Sequence, residues 1–517
     1  MALGAVSASA GPPVTCTVNS TVDAAAAAPT TSCDSTLGAG MVTLRSAIDR
    51  FNSPAGSTTI TFNLPAGSVI TLTMGELQVT STTGTLTITG PGARALAVDG
   101  NAASRVFHIG PGVRGSVTAA ISGITVRNGM TTSFSRFPAA EGGGFFDDLA
   151  NLTLDQVAVS GNVAGTGGAI AQDEGLLTLT NSTLSGNSVT GVGSCEGAAI
   201  SSQSEGIAVI TRLTNVTVTG NTEGPRCRRG TIAVLAPMLF TNVTIAGNTG
   251  AHGALSSRRR STLTITKSIV AGHSGSANCV GTPIDGGNNL DSGVSCGFTA
   301  PQHDQFSTDP LLAPLANNGG STDTMALGST SPAIDGVLAT ACPPPAADQR
   351  GLVRPQGASC DIGAFEFSPL MVTTVTASCG VPAGGGLVTL SGSGFLGVTQ
   401  VRFGSTPALS FTFISDTRID AVAPSGPAGQ AVDITVTTPA GTSTTSAGDA
   451  CTYQTLAVTS TPTPSPTPSP SPSPTTTPAL PKAGAGGGTG KTGVPWLLLL
   501  LLGLGGLGAT IRTHAAR

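Results

Sequence analysis

The sequence predicts an all-β protein whose centre is a stack of parallel coils, and three observations lead there. The first is a repeated phrase, an apolar-alternating strand closed by a small residue, glycine and a polar turn residue. It reads V-A-V-S-G-N to Asn162, S-T-L-S-G-N to Asn187, V-T-V-T-G-N to Asn221, V-T-I-A-G-N to Asn248 and S-I-V-A-G-H to His273. The closing residues are 25, 34, 27 and 25 positions apart, a period that belongs to stacked supersecondary units. The second is composition: 71 Gly with only 10% charged and 3% aromatic residues favours short strands and tight turns over long helices. The third is a second recurring strand that follows small residues, at Gly142, Gly167, Gly197, Gly230 and Gly253.

Each element follows in order. Residues 1–13 end in Ser-Ala-Ser-Ala before Gly-Pro-Pro, which fits either the remnant of a signal peptide or an irregular N-terminus. Residues 14–80 are expected to hold an N-terminal cap and the first coils. There Leu44, Ala47, Ile48 and Phe51 recur at helical spacing, so a short amphipathic helix is expected over the open end of the stack. Residues 81–368 are the expected coil domain with its C-terminal closure. Between Gly84 and His273 roughly seven to nine coils would form a rod on the order of 40 Å long. Glycine and asparagine are expected to supply the positive φ of the corners. A strand after each Asn-x-Thr is expected at Leu152, Thr183, Val216, Val243 and Ser268. The sequons at Asn151, Asn181, Asn215 and Asn242 fall out of this repeat, so they read as structure before glycosylation.

Residues 369–455 change pattern to strands of five to seven residues between Gly/Pro turns, which suits a small sandwich. Residues 456–493 are a Pro/Thr/Ser-rich and then Gly-rich linker. Within 459–479, proline at every second position from Pro462 to Pro474 enforces extended polyproline II and forbids a core, giving a disordered stalk with a reach of about 60 Å. The uncharged run Val494 to Ile511 is near the minimum for a transmembrane helix, with Trp496 at the expected interface. The basic tail 512–517 would lie on the cytoplasmic side.

Ten cysteines fall into five sequence neighbours: Cys16 with Cys33, Cys195 with Cys227, Cys279 with Cys296, Cys342 with Cys360, and Cys379 with Cys451. None has C-x-x-C spacing, so structural disulfides in an oxidising compartment are expected rather than zinc or redox sites. Connectivity does not follow from sequence, and this pairing is a hypothesis. A net charge of −4 provides no field for nucleic acid.

Several motifs resemble known families. T-V-N-S-T-V-D followed by L-R-S-A-I is similar to the CSLREA-type N-terminal segment of bacterial surface proteins with right-handed parallel β-helix repeats. D-P-L-L-A-P-L-A-N-N-G-G-S-T-D-T from Asp309, S-P-A-I-D-G from Ser331, D-Q-R-G-L-V-R-P from Asp348 and D-I-G-A-F-E from Asp361 resemble the choice-of-anchor Q type. That resemblance implies a secreted, anchored β-helix without a known reaction. G-G-G-L-V-T-L-S-G-S-G-F and F-I-S-D-T-R-I-D-A-V-A-P resemble an IPT/TIG immunoglobulin-like domain. Leu480, Pro481, Lys482, Ala483 and Gly484 are similar to a sortase sorting signal with alanine at the threonine position, so the resemblance leaves open whether a membrane helix or covalent attachment to cell wall holds the protein.

The function expected is that of a non-catalytic protein on the extracellular face of a bacterial envelope, serving adhesion, surface structure or ligand display. Its partners would be the membrane and, outside it, cell wall, polysaccharide or protein, with no nucleic acid. Arg228, Arg229, Arg258 and Arg259 would form a ligand face. The competing class is a polysaccharide lyase or glycoside hydrolase, for which acid–base pairs are required. The candidates are Asp147, Asp173 and Glu174, Asp147 and Asp173 being about one repeat apart. Against catalysis stand the single Tyr and single Trp and the adjacency of Asp147 to Asp148, which puts them on opposite faces of a strand. His273 fills the turn slot that asparagine fills elsewhere. Asp348, Arg350, Arg354, Asp361 and Glu366 are expected to pair and close the last coil. No cofactor is expected, and calcium at Asp-rich turns such as Asp285 is left open.

Overall fold

The computed structural model describes residues 13–53, 56–82, 84–112, 117–131, 140–190, 195–204, 210–257, 261–439 and 441–455. The stalk, the sorting-like motif Leu480–Gly484, the run Val494–Ile511, Arg258 and Arg259 lie outside these residues, as do positions 1–12.

Parallel stacking begins at the first described strand. Val14–Val18 pairs with Thr58–Phe62, which pairs with Thr85–Thr89. The ladder continues through Thr118–Ser122, Asn151–Asp155, Leu176–Ser185, Ile210–Thr219, Met238–Ala246 and Leu263–Thr266. One inward column runs Cys16, Ile60, Ile88, Ile121, Leu154, Leu179, Leu213, Phe240 and Ile265, all buried. Like residues therefore lie over like residues, and each coil hides its apolar side only against its neighbours. An eight-stranded parallel sheet forms a second side, from Leu77–Val79 to Cys279–Val280. Its inward column carries Leu77, Phe107, Phe145, Ile170, Ile200, Ile232 and Leu255, with Phe107 and Phe145 stacked at 5.2 Å. A three-stranded sheet at Val163–Ala164, Ser188–Val189 and Thr222–Glu223 forms the third side.

The two recurrent asparagines divide the labour differently from the expectation. In the S-G-N phrase the glycine takes the left-handed corner, at φ 65° for Gly161 and 66° for Gly220, while the asparagine turns inward. Asn162 donates from its backbone (3.1 Å) and its side chain (2.9 Å) to Asn187 Oδ1. Asn187 does the same to Asn221, and Asn221 to Asn248. All four are fully buried, so the amide ladder satisfies backbone groups that water cannot reach. The ladder ends before His273, whose backbone N–H instead donates to Asn278 Oδ1 at 3.2 Å. The asparagine of Asn-x-Thr occupies a separate left-handed corner, at φ 49° for Asn181, 54° for Asn215 and 52° for Asn242. Gln156 and Lys267 hold that corner in the flanking coils, both at φ 54°. Hence Leu152 does not align with Thr183 and Val216 as expected. It pairs with Leu177, which lies before the Asn181 corner in the strand Leu176–Ser185 of the next coil, because Asn151 is not at a corner.

Both ends are covered. The helix Leu44–Asn52 starts at a reciprocal Thr43/Ser46 capping box and buries Leu44, Ala47, Ile48 and Phe51 against the first coils. At the far end Cys279–Cys296 fixes a loop that brings Phe298 into the main core.

Residues 309–367 pack Leu327, Val337 and Ile362 with Ile269 and Leu290 of the last coils, and they also reach farther back. They fold back along the stack as a strap over the second left-handed corner. Ser321 Oγ donates to Gln156 Oε1 (2.6 Å), Thr322 Oγ1 to Asn181 O (2.9 Å), and Leu338 N to Asn288 Oδ1 (2.8 Å). From the stack, Asn215 donates to Ala347 O (2.9 Å), Asn242 to Gly363 O (3.0 Å), and Lys267 Nζ to Pro344 O (2.7 Å). Gly363, at φ 97°, approaches so closely that a Cβ there would meet Thr244 Oγ1 at 2.7 Å. The expected ion pairs do form, Arg350–Asp348 at 2.8 Å and Arg354–Glu366 at 2.6 Å. They lie inside the strap, whose Gly363 N–H donates to Lys267 O at 2.8 Å. Asn215 and Asn242 are consequently buried under it, which removes two of the four sequons from solvent.

Residues from Met371 onward form two packed antiparallel-rich sheets with a core of Val388, Leu390, Phe395, Phe403, Ile419, Ile434 and Val436. Tyr453 Oη donates to Pro424 O at 2.8 Å within it. The five disulfides pair as the sequence order proposes, and among the described residues no cysteine is free.

Candidate functional site

Charged side chains are rare in this chain, so the place where they gather on the coil stack stands out. Just before the strand Leu77–Val79 lies Glu76, and just before Phe107–Ile109 lies Arg105. On the eight-stranded sheet, His108, Phe146, Ala171 and Ser201 share one outward column. Two positions along, Asp148, Asp173 and Gln203 share the next. A further column at the coil corner runs Glu141, Thr166, Glu196 through single bridges. The register places these groups on one strip of the rod.

The contacts along the strip are specific. Arg105 Nη1 meets Glu76 Oε2 at 2.8 Å, and its Nε donates to Glu141 O (2.8 Å) and Gly142 O (2.9 Å). Its guanidinium lies 4.9 Å from the Phe146 ring, a cation–π contact that hides an outward-facing phenylalanine from water. His108 bridges Glu76 Oε1 (3.3 Å) and Asp148 Oδ2 (3.2 Å). Farther along, Arg229 Nε meets Glu196 Oε2 at 3.1 Å.

Burial pulls the Glu76 carboxyl up, but the His108 hydrogen bond and the Arg105 charge outweigh it and hold it at about 2. Burial pushes His108 down, and its bonds to Asp148 and Glu76 reverse that, raising it above its ordinary value. Glu141 moves the other way: burial, then the negative charge of Asp173, push it to about 8 despite Arg105. Two carboxyls near one arginine are thereby driven to opposite protonation states.

The sequence candidates scatter. The structure pairs Asp147 with Gln172, and it is Asp148 that stacks on Asp173. The repeat here is 25 residues, one fewer than the Asp147–Asp173 spacing, so Asp147 points to the opposite face. It is wholly enclosed, accepts from Ala150 N at 3.1 Å, and is pushed well above its ordinary value by burial. Glu174 sits at a left-handed corner, φ 59°, and is buried. Arg228 is exposed, and its backbone N–H donates to Cys195 O at 2.9 Å beside the Cys195–Cys227 bridge. Asp285 Oδ1 accepts from Gly287 N (2.9 Å) and Asn289 Nδ2 (3.1 Å), a turn-forming role. Among the described residues no cluster of His, Cys, Asp or Glu is disposed to hold a metal. Glu76, Arg105, His108 and Glu141 were not singled out in the sequence. Their scarcity in a chain with 10% charged residues was the available clue.

Residues 370–454 match the IPT/TIG domain family, so the chain contains an immunoglobulin-like module of that class, following the parallel coil stack. No curated protein matches the chain.

Proposed function

We propose that this chain is an exported, non-catalytic surface protein. In this reading a right-handed β-helix of the choice-of-anchor Q type, opened by a CSLREA-like segment, is carried on the IPT/TIG module. The proline stalk sets it away from the envelope, and the run Val494–Ile511 or the Leu480–Gly484 motif retains it. The five disulfides and the IPT/TIG module support an extracellular setting. The observation that carries the binding role is the state of the charged strip. Its described arginines and histidine are held by carboxylates, and Glu141, raised to about 8, is only 6% exposed. Such a strip offers a fixed pattern of charge on a rigid rod, suited to recognising polysaccharide or protein.

The test is incubation of the purified full-length chain with acidic and neutral polysaccharides, with binding and product formation read separately. Binding without turnover, weakened by Arg228→Ala with Arg258→Ala, is the expected result. Localisation before and after muramidase digestion checks the anchoring, since release of a soluble form requires a covalent wall link.

A second reading is favoured by the two glutamates that flank Arg105: Glu76 Oε2 lies 2.8 Å from its Nη1, and Glu141 O accepts from its Nε at 2.8 Å. Burial and charge drive their carboxyls apart, to about 2 and about 8. Divergent carboxyls are the arrangement a glycoside hydrolase or lyase needs. New reducing ends or unsaturated products that vanish in Glu141→Gln would establish it in place of the binding role.

A further inference from the structure

The strap leaves a groove beside itself, on a face of the stack separate from the charged strip. Its floor is made by outward residues of successive coils, Val69, Ala97, Thr125, Ala158 and Thr183, in one parallel column. A second column two residues along contributes Arg127, Ser160 and Ser185. The strap forms the wall through Leu315, Ser321, Thr322 and Asp323, pinned by the Arg94–Asp323 pair at 2.6 Å. The cavity measures about 380 Å³, within the usual range of ligand pockets.

We propose that this groove binds a neutral, linear oligosaccharide lying along the rod axis. The inference rests on the polysaccharide-binding reading above and adds to its charged strip a second place, with a neutral ligand chemistry of its own. The floor repeats at about 4.8 Å per coil and about 7 Å between columns, and its alanine, serine and threonine side chains leave it flat enough for ring-shaped units. The backbone of that floor is already paired to the coils above and below, so an extended peptide finds no strand edge to join. Arg127 commits Nε to Asp99 at 2.9 Å, and Asp323 commits Oδ1 to Arg94. Both side chains remain about two-fifths exposed, at 39% and 44%. A planar donor fork and a carboxylate oxygen are what neighbouring hydroxyl groups pair with. Because each arginine is already matched by an aspartate, an anionic sugar gains no net charge here and meets Asp323. Among the described residues no aromatic side chain lines the cavity, so affinity rests on hydrogen bonds exchanged with water and belongs on the order of millimolar.

The experiment titrates the full-length chain with cello-, xylo-, malto- and mannohexaose, with hexagalacturonate and an uncharged hexapeptide as comparators, by calorimetry and saturation-transfer NMR. At least one neutral hexaose is expected to bind. Ala158→Phe, which fills the floor, is expected to weaken it at least about tenfold with an unchanged melting temperature, whereas Arg418→Ala on the immunoglobulin-like module leaves it intact. Ser185→Tyr does the same from the second column if Ala158→Phe does not fold. Failure of every neutral hexaose to bind, stronger binding of hexagalacturonate or the peptide, or unchanged affinity in both filled variants overturns the inference. If the filled variants still bind envelope polysaccharide as the parent does, only the groove assignment fails and the surface-binding reading stands. If the parent binds nothing, both fail.

Discussion

The strap-covered corner and the charged strip are built on the same coils, yet they solve opposite problems. Under the strap, the side chains of Asn215, Asn242 and Lys267 donate to backbone carbonyls of residues 341–363, and the ionic residues Arg354 and Glu366 are both fully buried. On the strip, charged groups pair with one another across neighbouring coils and keep part of their surface in water, as with His108 at 17% and Arg229 at 21%. The periodic scaffold is common to both. What differs is whether its irregular residues are spent on holding a second piece of chain or left outward-facing. Order in the first region should therefore fail abruptly when a partner is lost, and in the second only locally.

The largest effect is expected from Arg354→Ala. It strands Glu366, whose Oε2 also accepts from Asp361 N at 2.9 Å, and a buried unpaired carboxylate costs about 3–5 kcal/mol. Denaturant unfolding should show that loss, and limited proteolysis should open the strap before the coils. Replacing both partners by Met and Leu should restore much of it, because the pair's own net worth is small. A strap that stays protected in Arg354→Ala would break the comparison.

Asn187→Ala comes next and probes the coil interior that both regions share. It removes the acceptor for two donors of Asn162, at 3.1 and 2.9 Å, for a cost of about 2–3 kcal/mol. Hydrogen exchange should report faster opening of the coils around Asn162, with the immunoglobulin-like module unaffected.

How much of this was legible follows from how far each contact reaches. The helix was readable because Leu44, Ala47, Ile48 and Phe51 carry their periodicity within one turn or two. The disulfide pairing was a hypothesis of sequence neighbours, and it holds where loops are short, four of the five separations being 17, 32, 17 and 18 residues. The inward columns were readable from a single repeat. Asp147 was misplaced by one residue of register, and one residue in a strand exchanges inside for outside. The strap was legible as motif but not as position, since its partners lie 132 residues away for Asn215 and 229 for Arg94. The charged strip was missed for a related reason. Glu76, Arg105, His108 and Glu141 precede the regular repeat, so nothing local announces that their coils stack.

Protonation sharpens the comparison at the strip. Glu141 is raised from 4.5 to about 8 in the folded chain, so the folded state holds its proton more tightly than the unfolded state. Its contribution is fully present below about pH 4.5 and is lost as pH rises through about 8. Stability should fall across that window, and Glu141→Gln should flatten the fall. Glu223 at about 7, raised chiefly by burial, and Asp361 at about 7 titrate in the same range, so part of the slope should persist. Thermal melts at closely spaced pH values read both.

The smallest effect is expected from Arg229→Ala. Its partner Glu196 is 19% exposed and Arg229 itself 21%, so water can replace much of what the guanidinium supplies. Partly exposed pairs contribute about 1 kcal/mol or less, and salt screens them. The loss measured at low ionic strength should shrink further in concentrated salt, while the Arg354→Ala loss should not, because no ion reaches a fully buried pair. Equal salt sensitivity in the two variants would mean that the strap breathes enough to admit solvent. The distinction between an anchored face and an open one would then be a difference of degree rather than of kind.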